Sequence, residues 1–116
     1  MQYMLLIYGD ERATESAARE QMNEIINAYM AYGQALSDAK VAVASNRLRP
    51  TSAATTVRVA DGKTQVLDGP FAETKEQLGG YYLIDVPDLD AALSWAARCP
   101  GASTGALEVR PIWPMQ

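Results

Sequence analysis

The sequence predicts an α+β domain in which an antiparallel sheet carries two helices on one face and a β-hairpin is inserted in mid-chain. Three observations support this class. Strand-length apolar runs alternate with amphipathic helical segments, and Asp61-Gly62 separates two β-branched runs. A length of 116 residues also fits one hydrophobic core, so we expect residues 1–116 to form a single domain.

The first half of the chain predicts two strands around a long helix. Gln2–Tyr8 is a nearly continuous apolar run, typical of a strand covered on both sides. A helix capped by Thr14 or Ser16 follows, because apolar residues recur at spacings of three and four: Met22, Ile25, Ile26, Tyr29, Met30, Gly33 and Leu36. Residues 41–44 form the second strand, and Pro50 keeps the next segment in a loop.

The second half predicts a hairpin, a strand, a helix and a final strand. The hairpin pairs residues 54–59 with 64–67 around Asp61-Gly62. Tyr81–Val86 is a strand, Asp88 caps the second helix, and residues 107–113 form the last strand, in which Pro111 indicates an edge. This β-α-β-hairpin-β-α-β order is the split β-α-β arrangement of ferredoxin-like domains.

The two central strands predict an oligomer. Two helices cover one face of the sheet, yet Gln2–Tyr8 and Tyr81–Val86 are apolar on both faces. A second copy of the chain is the simplest cover for the other face. We therefore expect a homodimer whose sheets pack face to face.

Composition excludes several functional classes. The chain has no histidine and a single cysteine, which removes Ser-His-Asp and Cys-His catalysis and His-ligated zinc or haem. We expect no cofactor and no metal, and we interpret Cys99 as a structural thiol. A net charge of −4 with scattered basic residues argues against direct nucleic acid binding. With neither a signal peptide nor a membrane span visible, the expected location is cytoplasmic.

The segment from Asp68 to Gly80 has the strongest local features. Asp-Gly-Pro predicts a tight turn, and we expect that turn to aim Phe71, the one phenylalanine, inward. The Gly79-Gly80 pair permits close approach of a backbone or a ligand. Two interpretations stay open: the lip of a ligand pocket, or a plain connection between the hairpin and the next strand.

Residues 68–82, DGPFAETKEQLGGYY, resemble the signature of the DGPF-domain branch of the YCII-related family. The resemblance extends over nearly the whole chain, including the opening YMLLIYGDE and the VPDLDAA segment at residues 86–92. It implies a ferredoxin-like subunit that assembles as a dimeric α/β barrel. Biochemical activity in this family is largely unassigned.

The resemblance also bears on partners and catalysis. Some relatives resemble accessory proteins of extracytoplasmic-function sigma factors, so a sigma factor is one expected partner. Other YCII-related proteins carry a His–Asp pair proposed as catalytic. This chain contains no histidine, so it lacks that pair and the enzyme interpretation is weakened.

Nine residues are candidates for a site. Asp68 and Glu73 are the candidate general bases, since a carboxylate serves near neutral pH when burial raises its pKa. The candidate ligand-binding residues are Gly69, Pro70, Phe71, Lys75, Glu76, Arg58 and Arg110. The two arginines suit a carboxylate or phosphate, although pairing with a local acid such as Glu108 or Glu73 is the commoner role.

Three functional hypotheses follow from these residues. The first is a dimeric small-ligand-binding or accessory regulatory module, associated with a sigma factor. The second is a cofactor-free enzyme that uses Asp68 or Glu73 as general base near the dimer interface. The third is a purely structural dimer.

Overall fold

The computed structural model describes residues 1–115 and confirms the predicted α+β class. In chain order the elements are β1 (Gln2–Gly9), α1 (Glu11–Glu15), α2 (Arg19–Asp38), β2 (Ala42–Arg47), β3 (Thr55–Ala60), β4 (Lys63–Asp68), β5 (Gln77–Asp85), α3 (Leu89–Arg98) and β6 (Ala106–Pro111). Single 3₁₀ turns at Thr51–Ala53 and Pro100–Ala102 lead into β3 and β6.

The four-stranded sheet has the order β2-β5-β1-β6, with every neighbouring pair antiparallel. This order is the ferredoxin-like split β-α-β arrangement that the sequence predicts. Pro111 ends β6, which is an edge strand as expected.

The hairpin β3–β4 forms a separate two-stranded sheet. Its two-residue turn has positive φ at both central positions, 51° at Asp61 and 73° at Gly62. Positive φ at both positions is the type I′ geometry that Asp-Gly favours. The hairpin prediction is therefore confirmed down to its turn.

The helices differ from the prediction in number, since three are present instead of two. Asp10 begins α1 by accepting a hydrogen bond from the Arg12 N–H at 3.0 Å. Ser16 ends this short helix, and α2 begins after Ala18, so neither Thr14 nor Ser16 caps the long helix. Asp10 follows directly after β1 and is a strong N-cap residue, so a helix begins there, four residues before Thr14.

The largest differences in strand boundaries are at the end of β2 and the start of β5. β2 continues to Arg47 because it stays paired with β5 through Asn46–Tyr81 and Arg47–Gly80. β5 begins at Gln77 because its first residues pair with the end of β1 through Gly9–Gln77 and Tyr8–Leu78. Backbone ladder bonds form independently of side-chain polarity, so polar and glycine residues that look like loop extend the sheet.

The hydrophobic core lies between the sheet and the two long helices. Leu5, Ile84 and Leu36 are its fully buried large side chains. Burying each of these contributes about 1.5–3 kcal/mol. The hydroxyl of Tyr32 donates to the Trp95 carbonyl at 2.7 Å, which ties α2 to α3.

Cys99 is only 2% exposed and lies at the end of α3. Burial raises the pKa of its thiol, and the Gly101 backbone and Tyr29 offset only part of that rise. Burial and a raised pKa are what a structural thiol requires, and the structural role of this cysteine stays a prediction. Within residues 1–115, no helix combines the length and hydropathy needed to cross a lipid bilayer.

Burial around Cys99 predicts a loss of stability at alkaline pH. Desolvation raises the pKa of the thiol above its ordinary 9.0, and it raises the pKa values of Tyr29, Tyr32 and Tyr82 above their ordinary 10.0. The folded chain then holds protons that the unfolded chain loses, so stability is intact below pH 9 and falls as pH rises above it. One group contributes a slope of at most about 1.4 kcal/mol per pH unit.

Thermal unfolding measured from pH 7 to 11 checks this expectation. Cys99→Ala has a lower Tm at pH 7, because a buried side chain is shortened, and a shallower decline above pH 9. Parallel curves for the variant and the wild type would show that the thiol does not contribute.

Candidate functional site

The sheet face opposite the helices is not covered by any element among residues 1–115; we call it the open face. Strand register places on it, among others, the side chains of Met4, Leu6, Tyr8, Asn46, Tyr81, Leu83, Glu108 and Arg110. Side chains alternate between the two faces along β1. Tyr3 and Leu5 are buried against the helices, whereas Met4 and Leu6 point to the opposite face.

The open face has an apolar centre and polar edges. One row crosses all four strands through directly opposed residues, from Glu108 to Leu6 to Tyr81 to Asn46. The Asn46 amide donates to the Tyr81 hydroxyl at 2.8 Å. Hydrogen-bonding groups at one edge and charged groups at the other therefore flank an apolar floor.

Arg110 and Glu108 form an ion pair at the β6 edge, as expected for an arginine beside a local acid. The two side chains are 67% and 41% exposed, so the pair contributes little to stability. Glu108 Oε2 is shielded from solvent and lies against the guanidinium without hydrogen-bond geometry. A guanidinium has five N–H donors, so Arg110 has donors left for a ligand.

The two candidate bases lie away from this floor. Asp68 is the last residue of β4, opposite Thr55, and Glu73 lies in the connection from β4 to β5. Both side chains are exposed in the single chain. Two shallow grooves, of about 230 and 320 Å³, are lined by residues 47–50 and by residues from the two chain ends, and neither includes a candidate base.

Gly69 and Pro70 form the turn at the base of the hairpin. Gly69 has a φ of 108°, a conformation that side chains disfavour. Its N–H donates to the Ala54 carbonyl at 2.7 Å, and its carbonyl accepts from the Thr56 hydroxyl at 2.8 Å. These bonds give the Asp-Gly-Pro segment a structural role in closing the hairpin.

Phe71 points outward, so the expectation of an inward side chain is wrong. It is 72% exposed, and the Arg58 guanidinium lies over its ring at 4.7 Å from the centroid. The reason is that β3 and β4 form their own sheet, so the turn after β4 has no core beside it. Such a cation–π contact contributes about 0.5–1 kcal/mol at an exposed position.

The predicted site residues fall into two groups within one chain. Arg58 and Phe71 are in contact. Lys75 and Glu76 lie in the same exposed connection as Phe71. The Gln77 side-chain amide donates to the Lys75 carbonyl, and the Thr74 hydroxyl donates to the Glu76 carbonyl. Arg110 is separate from them, on β6 at the opposite edge of the sheet from β2.

Glu11 has a structural role that sequence reasoning missed. Its carboxylate accepts from the Thr51 N–H at 3.0 Å and from the Thr51 hydroxyl, while its own N–H donates to Gln77 Oε1 at 3.0 Å. This clamp joins the first residue of α1 to Thr51, which precedes the hairpin, and to Gln77, the first residue of β5. Glu11 and Thr51 are 40 residues apart, so their contact leaves no local signal in the sequence. Asn46 was missed for a different reason, because β2 was predicted to end at Ala44.

Residues 1–115 contain no group of three or more Cys, Asp or Glu side chains close enough to hold a metal ion. The available chemistry is hydrogen bonding, one guanidinium and an apolar floor. This arrangement suits binding of a small molecule with an apolar body and polar ends.

The fold and the open face define an α+β ferredoxin-like domain that presents one face of its sheet. The profile of the YCII-related domain family matches residues 1–116. An uncharacterized protein of Rhizobium meliloti (strain 1021) is 44% identical over 114 residues, covering 97% of this chain and 92% of that protein. The chain belongs to the YCII-related domain family.

Gly80 predicts a steric effect on β2. A Cβ at this position would lie 2.8 Å from the Asn46 carbonyl oxygen, whereas a Cβ at Gly79 would have its nearest neighbour, the Ile7 oxygen, at 3.9 Å. Gly80→Ala therefore forces β2 away from β5 and costs about 1–3 kcal/mol of unfolding free energy.

Gly79→Ala is the matched control and is neutral or slightly stabilising, since alanine loses less backbone entropy on folding. Chemical denaturation of both variants measures the difference. Equal midpoints would contradict the close approach of β2 at Gly80.

Proposed function

We propose that this protein is a non-catalytic homodimer that binds a small molecule between two open faces and acts as a regulatory module. The observation that supports it is the row from Glu108 through Leu6 and Tyr81 to Asn46, an apolar floor with polar edges. An apolar centre with a polar rim is the usual composition of a protein interface, and the donors that Arg110 has left at that rim would serve a ligand.

Apolar content supports the dimer. Met4, Leu6 and Leu83 are neighbours in register on the open face, with Tyr8 and Tyr81 beside them. Contiguous apolar surface of this kind marks an interaction site on a domain of this size. A two-fold dimer places the same surface on both sides, which makes the interface self-complementary.

The ligand class follows from the groups at the rims. Arg110 offers donors for a carboxylate, and Tyr81 with Asn46 offers neutral hydrogen bonds at the other edge. Between these two edges, Tyr8 and Leu6 supply apolar contact. A small organic acid with an aromatic or aliphatic body fits this set.

Membership of the DGPF branch and the sigma-factor partner belong to the same proposal. Their support is the resemblance of residues 68–82, which implies an accessory protein associated with an extracytoplasmic-function sigma factor. The exposed loop from Pro70 to Glu76 presents backbone and charge suited to such a contact. Pull-down from the native host tests this partner, and recovery of no sigma factor would contradict it.

The enzyme hypothesis has weaker support. Asp68 and Glu73 are exposed, and a general base near neutral pH needs a shielded environment. A second subunit would have to provide that shielding. We therefore treat catalysis by Asp68 or Glu73 as an outcome of the ligand experiment below.

The dimer predicts sensitivity at the centre of the open face. Leu6→Lys leaves the monomer folded, because the position is accessible and opposes Glu108, but it places a charge in the interface. The wild type is expected to be a dimer at micromolar concentration and the variant a monomer, measured by size exclusion with light scattering.

Leu93→Lys is the matched control, since Leu93 is 47% exposed on α3, away from the open face. It is expected to stay dimeric. A wild-type monomer at micromolar concentration would contradict the proposal.

Ligand binding predicts a thermal shift with small organic acids. At a hundred-fold excess over Kd a ligand stabilises the folded state by about 2.7 kcal/mol, which raises Tm by several degrees. Arg110→Gln removes the shift while changing the ligand-free Tm little, because its ion pair is exposed. Arg19→Gln at the exposed start of α2 is the control and keeps the shift.

Asp68→Asn separates binding from catalysis in the same screen. We expect it to bind as the wild type does, with no chemical change in any compound. Turnover of a compound by the wild type that is lost in Asp68→Asn would establish the enzyme hypothesis instead.

A further inference from the structure

The hydrogen bond between Asn46 and Tyr81 has a direction that bears on ligand choice. The Asn46 side-chain N–H donates to the Tyr81 hydroxyl oxygen, and the two atoms are 2.8 Å apart. A phenolic hydroxyl carries one hydrogen and can accept one bond while it donates another. Among the hydrogen bonds within residues 1–115, none uses the hydroxyl hydrogen of Tyr81. That hydrogen is therefore free for an acceptor on a ligand.

Tyr81 is the polar group of this pair that lies nearer the apolar floor. It is on β5, directly opposite Leu6 of β1, and its side chain is half-buried. Asn46 is exposed and lies one strand further out, on the edge strand β2. A ligand over Leu6 is thus one strand away from Tyr81 and two strands away from Asn46.

Asn46 also strengthens Tyr81 as a donor. Hydrogen bonds in a chain polarise one another, so a hydroxyl that accepts one bond donates the next one more strongly. The amide of Asn46 therefore orients the Tyr81 hydroxyl and makes its hydrogen a better partner for a ligand oxygen.

The opposite edge of the floor offers donors as well. The guanidinium of Arg110 has N–H donors and no acceptor, and the neighbouring acid, Glu108, already pairs with it. Arg110 and Tyr81 lie on β6 and β5, which are two strand spacings or about 9.6 Å apart. A ligand that bridges this distance meets a donor at each end, so it needs an acceptor at each end.

We propose that Tyr81 is a specificity-determining donor, and that the ligand is a small organic acid with a second acceptor, such as a carbonyl, at the end away from its carboxylate. This inference rests on the proposed binding of an acid at the open face and narrows the chemical class of that acid. Arg110 binds the carboxylate, and Tyr81 donates to the second acceptor. Asn46 is a positioning residue, because it acts on the ligand through Tyr81.

Matched probes test this polarity. 4-Acetylbenzoate and 4-ethylbenzoate have the same charge and nearly the same shape, and they differ by a carbonyl in place of a methylene. The wild type is expected to bind the acetyl compound about 3- to 10-fold more tightly, because one hydrogen bond is gained. 6-Oxoheptanoate and heptanoate make the same comparison on an aliphatic body. The measurement is the ratio of the two Kd values within a pair, by isothermal titration calorimetry.

Two variants assign the preference to the hydroxyl. Tyr81→Phe is expected to bring the ratio to about 1, while the Kd of the methylene probe stays within about 2-fold. Asn46→Asp is also expected to remove the preference, because a carboxylate accepts the hydrogen that Tyr81 otherwise gives to the ligand. The added charge affects both probes of a pair alike, so the ratio isolates the hydroxyl. Tyr3→Phe is the matched control, since it loses a hydroxyl on the helix side of the sheet and keeps the wild-type ratio.

The outcomes separate this inference from the proposed function. Binding of none of the four acids contradicts the proposed function and this inference with it. Binding with ratios near 1 in both pairs of the wild type overturns the inference alone and leaves an acid-binding face. A wild-type ratio that persists in Tyr81→Phe or in Asn46→Asp also overturns it, because another group would then recognise the carbonyl.

Discussion

An antiparallel sheet with helices on one side only is the constraint on which the rest of this structure depends. Tyr3 and Leu5 satisfy that constraint on the helix side by burial. On the other side Met4 and Leu6 have no covering layer among residues 1–115. The position of α2 and α3 thus decides which of the apolar side chains of the sheet form the core and which stay uncovered in the single chain.

The elements with local signals were predictable from sequence. Asp61-Gly62 determined a type I′ hairpin by its own conformational preferences, and Asp88 capped α3 through a bond to the Ala91 N–H at 2.9 Å. The split β-α-β topology followed from element order. Phe71 was misjudged, because the sequence carries no sign that the hairpin forms a separate sheet with no core beneath it.

The candidate site was harder to predict than the fold. Its polar rims come from residues far apart in the chain, such as Asn46 with Tyr81, and they meet only through strand register. The DGPF segment attracts attention in the sequence, yet in the single chain it closes a turn through Gly69 and displays Phe71. Arg110 was identified correctly as an arginine paired with a neighbouring acid, while its place on the open face needed the three-dimensional structure.

The type I′ turn has a kinetic consequence. A hairpin closed by two residues forms in about 1–10 μs. Two chains at micromolar concentration that associate at 10⁵–10⁷ M⁻¹s⁻¹ meet in roughly 0.1–10 s. Asp61-Gly62 therefore lets the β3–β4 hairpin form long before two chains meet, so each chain presents the paired hairpin at every encounter.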